Sequence, residues 1–248
     1  KTSSSSSTKM KKNFKTQNDN DDNSTLSNPN EKPSLKQKKQ LRKFQLEKKR
    51  EKLSFSVDKV TTIDTSITKV LAMDCEMVGV GLKGQESVLA RVSIVNNLGN
   101  TIYDKFVKPQ ENIVDFRTKY SGVRYEDVAN APEFSVVQKE VADIIKGKIL
   151  VGHALENDLK ALMLKHPKQM IRDTAKYKPL MRTKKKPHAL RVLSKMYLDV
   201  QIQSGEHSSV EDARATLLLY HMHKKEWELA LKKKILKPKK KKQKKSVK

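Results

Sequence analysis

The chain has a single cysteine, Cys75, among 248 residues. It can form no internal disulfide and no Cys-x-x-Cys zinc site, so a reducing intracellular compartment is the expected home. It has no run of about 18 apolar residues, which excludes a helical membrane span and removes a membrane from the expected partners. The Ser, Asn and Lys-rich start lacks the apolar stretch of a secretory signal. The chain begins at Lys1 rather than Met, which leaves a lost leader open.

Acid is scarce at both ends. Residues 1–52 carry 15 Lys/Arg against 6 Asp/Glu, residues 232–248 carry 11 Lys and no acid, and the stretch between has 27 against 22. Most of the formal charge of +25 therefore sits on the ends. That distribution suits a protein that holds a polyanion by counterion release, so nucleic acid is the expected partner. A lysine run is equally compatible with a solubilising or nuclear-import tail.

These shifts in composition divide the chain into a disordered basic tail over 1–52, a folded domain over 53–231 and a lysine-rich tail over 232–248. A basic helix is expected from Leu35 to Lys52 within the first tail, as a nucleic-acid or partner contact. From Val70 the pattern becomes that of a folded domain. Val70 to Met73 is a short apolar run, and Ser87 to Val95 and Thr101 to Val107 alternate with β-branched residues. Asn97, Gly99 and Asn100 read as the hairpin turn between the last two. Ser135 to Ile145 has helical spacing closed by Gly147, and Ile149 to Gly152 reads as a buried strand. A helix from Leu155 to Leu164, a weak fifth strand from Met170 to Asp173, and helices near 188–196 and 209–231 follow. The expected fold is α/β, a mixed five-stranded sheet flanked by helices.

Four carboxylates and one histidine stand out. Asp74 and Glu76 lie two apart at the end of the first strand and so share a face, with Cys75 pointing the other way. Such a pair is common on solvated strands, but its position after Val70-Leu71-Ala72-Met73 places it in a central one. Asp158 has only apolar neighbours at helical spacing, Ala154, Leu155, Ala161 and Leu162, and lies at the edge of a buried stripe. Alone it reads equally as an acid bonded to a backbone amide. Ser208 and Glu211 form a capping box that starts the last helix, with His207 just before it and Asp212 in its first turn. Converging acids repel and resist burial unless cations neutralise them, and the cations that suit an all-oxygen set are a pair of Mg²⁺ or Mn²⁺ ions. The chemistry that such ions support is phosphodiester hydrolysis.

Two other patterns carry less. Gly79-Val80-Gly81-Leu82-Lys83-Gly84 matches a dinucleotide-binding spacing, but a strand rather than a helix follows it. His221 and His223 are two apart on a helix and face different ways.

With these residues in view, the chain resembles the DEDDh class of 3′ to 5′ exonucleases, which have a ribonuclease H-like fold. The motifs are Ala72 to Gly79, Gly152 to Leu159 and His207 to Ala213, with the His-x4-Asp spacing of His207 and Asp212. More narrowly it is similar to the RNA exonuclease 4 subfamily, through Leu89 to Val95, Arg117 to Val123, His166-Pro167-Lys168, Ile171 to Thr174 and Lys224 to Glu228. The likeness covers about residues 69 to 230.

The resemblance implies that Asp74, Glu76, Asp158 and Asp212 hold two metals and that His207 is the general base. It implies 3′-end polarity, release of nucleoside 5′-monophosphates, backbone contacts to the terminal nucleotide near Met77 and Val78, and Arg117 on a phosphate. It favours RNA over DNA, ribosomal RNA processing or ribosome assembly, contact with pre-ribosomal particles, and residence in the nucleus or nucleolus. Two alternatives stay open: a nucleic-acid-binding assembly factor with incidental nuclease activity, and a deoxyribonuclease of the same fold.

Overall fold

The structure, a computed structural model, describes residues 34–53, 56–60, 63–183 and 186–236. The chain divides into two units, Lys1–Leu41 and Arg42–Lys248. Helix α1 (Leu35–Arg50) crosses that division. Its second half belongs to the larger unit. Arg50 donates to the carbonyls of Tyr197 (2.7 Å) and Met196 (3.2 Å), and Lys49 pairs with Glu226 at 2.9 Å. The expected helix is present, but this anchoring moves the start of the compact unit into the segment read as a disordered tail. Basic composition could not reveal that Arg50 has carbonyls to cap some 146 residues away.

The sheet is built on β1 (Val70–Val80), which pairs antiparallel with β2 (Glu86–Asn96) along nearly its full length. β2 pairs antiparallel with β3 (Thr101–Phe106) through a turn in which Gly99 has φ +84°. On its other edge β1 pairs parallel with β5 (Ile149–Gly152), which pairs parallel with β6 (Ile171–Asp173). The strands run in the order β3-β2-β1-β5-β6, a mixed sheet as expected. A sixth strand, β4 (Ile113–Asp115), was not anticipated and pairs with Gly79 and Val80 of β1. At three residues it is too short to leave a period-two signal.

Strand alternation sorts β1 between two cores. Leu71, Met73 and Cys75 pack with α4 (Phe134–Ile145) and α5 (Leu155–Ala161), through Val137, Val141, Leu155 and Leu159. Val70 and Ala72 face the opposite core with α7 (Ser209–Leu236), through Leu217, Leu218 and Tyr220. Asp74 and Glu76 continue the Val70 and Ala72 parity, so they point towards α7. They lie in mid-strand rather than at its end, because β1 runs on to Val80.

Three short helices complete the domain: α2 (Thr118–Ser121), α3 (Tyr125–Ala129) and α6 (Leu190–Leu193), the last passing into a wide turn at Ser194–Leu198. α7 extends five residues beyond the expected end at 231, into the segment read as tail, since its lysines keep helical propensity without needing burial.

The chain passes Gly152 closely. A Cβ there would lie 2.5 Å from Leu155 Cδ2 and 2.9 Å from the Met73 carbonyl oxygen. Gly152→Ala is therefore expected to lower stability by about 1–3 kcal/mol, the usual cost of overpacking, measured by urea unfolding. An unchanged midpoint would mean that the junction has slack.

Candidate active site

β2 covers one edge of β1 throughout, whereas β5 and β4 share the other and reach only residues 70–72 and 79–80. The edge of β1 between them is open, beyond the carboxyl ends of two parallel strands, where α/β sheets place their ligand crevices. Asp158 sits in the first turn of α5, after the left-handed Ala154 (φ +60°), and enters this gap. The Cys75 backbone and thiol lie against its carboxylate and draw its pKa down, against the burial that raises it. Met77 follows Glu76 at a register irregularity between β1 and β2, on the stretch of β1 that neither β5 nor β4 covers. The Val78 side chain is fully buried, leaving only its backbone for a ligand.

Asp212 enters from α7. Its backbone N–H bonds the Ser208 carbonyl, which starts the helix where the capping pattern places it. The Gln203 backbone lies against the Glu211 carboxylate and draws its pKa down, against the burial that raises it. Gln203 also donates Nε2 to Asp212 Oδ2 at 2.6 Å. Nothing in the sequence singled out Gln203, because its role depends on a positive φ of 55° that turns it back onto α7.

The four acids are brought together. Glu76, Asp158 and Asp212 are 6 %, 5 % and 3 % exposed, and Glu76 Oε1, Asp158 Oδ2 and Asp212 Oδ1 are buried without any hydrogen-bond partner. Burial is the first cause that raises their pKa values: Asp74 far above the carboxylate range and Glu76 to about 8, both pushed further by the other acids of the set, and Asp158 and Asp212 to about 7, where the added repulsion comes from Asp173 and Glu211. Asp74 feels Asp158, Asp212 and Glu76 in that order. Among the described residues, no three His, Cys, Asp or Glu side chains are already closed around one point as a formed metal site. Orphaned carboxylate oxygens, all hard donors sharing one crevice, nonetheless fit divalent cations that take oxygen ligands.

His207 is half-buried. Its backbone N–H bonds the Tyr120 carbonyl at 3.0 Å, and its ring stands edge-on to Tyr120 with centroids 6.3 Å apart. Burial, then the positive charge of Arg191, lowers its pKa below 6.5. Arg117 goes elsewhere. With φ +52°, it donates Nη1 to Ser87 Oγ and Nη2 to the Gly84 carbonyl, both at 2.8 Å, and so clamps the turn Leu82–Gly84 beside β4. Its guanidinium is thus partly spent on the protein rather than free for a phosphate. That turn leads into β2 and not a helix, which disposes of the dinucleotide pattern. His221 and His223 also diverge, His221 bonding Asn97 and His223 meeting the Tyr177 and Tyr197 rings.

A six-stranded mixed sheet with acids from β1, α5 and α7 gathered at its open edge, and a histidine ahead of α7, defines a nuclease-type centre. Residues 71–220 match the RNase_T family model, described as exonuclease, and the chain belongs to that family. It is 57% identical to RNA exonuclease 4 of Homo sapiens over 163 residues, which is 65% of this chain and 39% of the human protein. It is 53% identical to RNA exonuclease 4 of Xenopus laevis over 181 residues, covering 71% of this chain and 43% of that protein. The chain thus spans about two fifths of the length of these curated relatives. The Saccharomyces cerevisiae Pan2 pseudoubiquitin hydrolase-RNA exonuclease module, solved with AAUUAA RNA, is 29% identical with a TM-score of 0.57. That likeness covers 68% of this chain and 30% of the module. The fold is accordingly the ribonuclease H-like fold of exonuclease domains.

Proposed function

We propose that this chain is a 3′–5′ exoribonuclease that releases nucleoside 5′-monophosphates. The observation that carries the reading is the set of three buried carboxylate oxygens without partners, on three separate elements, together with a histidine two residues before α7 that favours its neutral form. Asp74, Glu76, Asp158 and Asp212 would hold two divalent cations, Mg²⁺ or Mn²⁺. When bound, such ions polarise the scissile phosphate and stabilise the leaving 3′ oxygen.

The chain's own residues do the rest. Cys75 and Gln203 Nε2 engage Asp158 and Asp212 while one oxygen of each is left without a hydrogen-bond partner. The main chain at Met77, on the stretch of β1 not covered by β4 or β5, would offer the terminal nucleotide a contact that ignores base identity. His207 takes a proton from the attacking water. It acts in its neutral form, and its lowered pKa makes that form dominant at pH 7. kcat/KM at saturating divalent cation is therefore expected to rise with pH, with a midpoint below 6.5, and to level off by about pH 7.5. His207→Ala should lose that rise and slow the reaction by about 10² to 10⁴-fold. A profile flat from pH 5.5 to 8 in the unaltered protein argues against His207 as base.

RNA as substrate draws support from the names of the relatives and from the RNA bound to the Pan2 module. Ribosomal RNA processing, contact with pre-ribosomal particles and residence in the nucleus or nucleolus extend the reading, supported by the basic ends and the subfamily likeness. The test is incubation of the full chain with 5′-labelled single-stranded RNA and DNA in Mg²⁺, Mn²⁺ or EDTA. A metal-dependent ladder shortening from the 3′ end, faster on RNA, is the expected result. Faster shortening of DNA would make the chain a deoxyribonuclease. RNA left intact by folded protein would leave a binding factor.

A further inference from the structure

Cross-strand register sets Arg91 of β2 directly opposite Glu76 of β1, and Ser93 opposite Asp74. Directly opposed residues of an antiparallel pair project to the same face. A guanidinium therefore stands beside an acid of the site, and its charge lowers the pKa of Glu76, against the burial and repulsion that raise it. Left free, such a group would close on Glu76 and occupy the place of a divalent cation, since Arg and carboxylate form a strong two-bond fork.

It is not left free. Asp104, on the outer strand β3, takes the Arg91 fork: Nε to Oδ1 at 2.9 Å and Nη2 to Oδ2 at 2.8 Å. The guanidinium carbon lies 5.0 Å from the centre of the Phe106 ring, also on β3. Asp104 is itself held. Ser93 Oγ donates to Asp104 Oδ1 at 2.8 Å, so the single Ser93 proton is committed. The 2.6 Å contact between Ser93 and Ser209 must then run with Ser209 as donor. Both serines are fully buried, and Ser209 opens α7 three residues before Asp212. An ordinary edge-strand ion pair has no such buried backing and contributes about 0–1 kcal/mol.

We propose that Asp104 is a positioning residue that keeps Arg91 off Glu76, so that the carboxylates stay open to divalent cations. The inference rests on the metal-dependent reading above. Without Asp104, Arg91 swings to Glu76 and competes with the ions. A second substitution that removes Arg91 then removes the competitor.

The test is titration of the metal-free full chain with Mn²⁺, following the rise in melting temperature, beside kcat and KM on single-stranded RNA. In Asp104→Ala the Mn²⁺ concentration giving half the thermal rise should increase about tenfold, and kcat should fall about tenfold with KM for RNA changed less than threefold. In Arg91→Ala/Asp104→Ala the Mn²⁺ midpoint should return to within threefold of the unaltered protein, a recovery that mere loss of packing cannot produce. An unshifted midpoint in Asp104→Ala, or a double variant no better than the single, overturns the inference while leaving the exonuclease reading intact. Absence of any Mn²⁺-induced rise in the unaltered protein overturns both.

Discussion

Asp212→Asn is expected to slow 3′-end shortening about a thousandfold and, in metal-free buffer at pH 8, to make the protein more stable. Loss of several kcal/mol of charge stabilisation at the reacting phosphate gives the first effect, at 1.36 kcal/mol per tenfold. The second follows from proton linkage. Glu76, Asp158 and Asp212 titrate near 8, 7 and 7 in the folded chain, all above ordinary carboxylates. Between about pH 4 and 8 the folded state therefore holds more protons than the unfolded one, and stability falls as pH rises. The penalty is absent below pH 4, where both states are protonated, and complete above pH 8. The asparagine is neutral and can still accept the Gln203 hydrogen bond, so on the order of 2–4 kcal/mol should be regained at pH 8 and almost none at pH 4. Urea unfolding at both pH values measures this. A variant less stable than the parent at pH 8 would show that the acids are not crowded in solution.

Glu228→Ala should do the reverse, destabilising strongly without touching the site. Arg172 of β6, its side chain 6 % exposed, gives Nε and Nη2 to Glu228 at 2.6 and 2.9 Å and Nη1 to the Gln169 carbonyl at 2.8 Å. Tyr220 donates its hydroxyl to the same carboxylate at 3.0 Å. Removing Glu228 leaves a buried guanidinium without its counter-charge, for which the expected loss is about 3–5 kcal/mol in urea unfolding. A loss under about 1 kcal/mol would place the pair with exposed ion pairs. The pH dependence is opposite to that of the cluster. Hydrogen bonding from Arg172 holds the Glu228 pKa below 4.5, so its contribution is full above that value and lost as pH falls through the folded pKa.

The sequence made legible what repeats locally. Asp74 and Glu76 could be placed on one face by period two, Asp158 on a helix by its apolar neighbours, and Asp212 in a first turn by the serines before it. The mixed sheet flanked by helices followed from the alternation of apolar runs with helical spacing, though not the order of its strands. What stayed hidden depends on partners distant in sequence. β4 has three residues and no pattern of its own, and its pairing with Gly79 and Val80 rests on tertiary packing. Gln203 and Arg117 both need a left-handed backbone, which neither residue type advertises. The hold of Arg50 on Met196 and Tyr197 cannot be seen in a lysine-rich helix whose composition suggests only solvent or nucleic acid.

His207 lies two residues before α7 and is also held from another side. Its backbone bonds Tyr120, and Glu206 beside it takes both arms of the Arg124 guanidinium, so the loop is tied to the segment of α2 and α3. The acids, by contrast, are set in the sheet, α5 and α7. On the proposed reading, the acids and the proton acceptor are thus held in part by different elements. On the proposed reading, a disturbance of α2 and α3 would weigh on proton removal more than on cation binding.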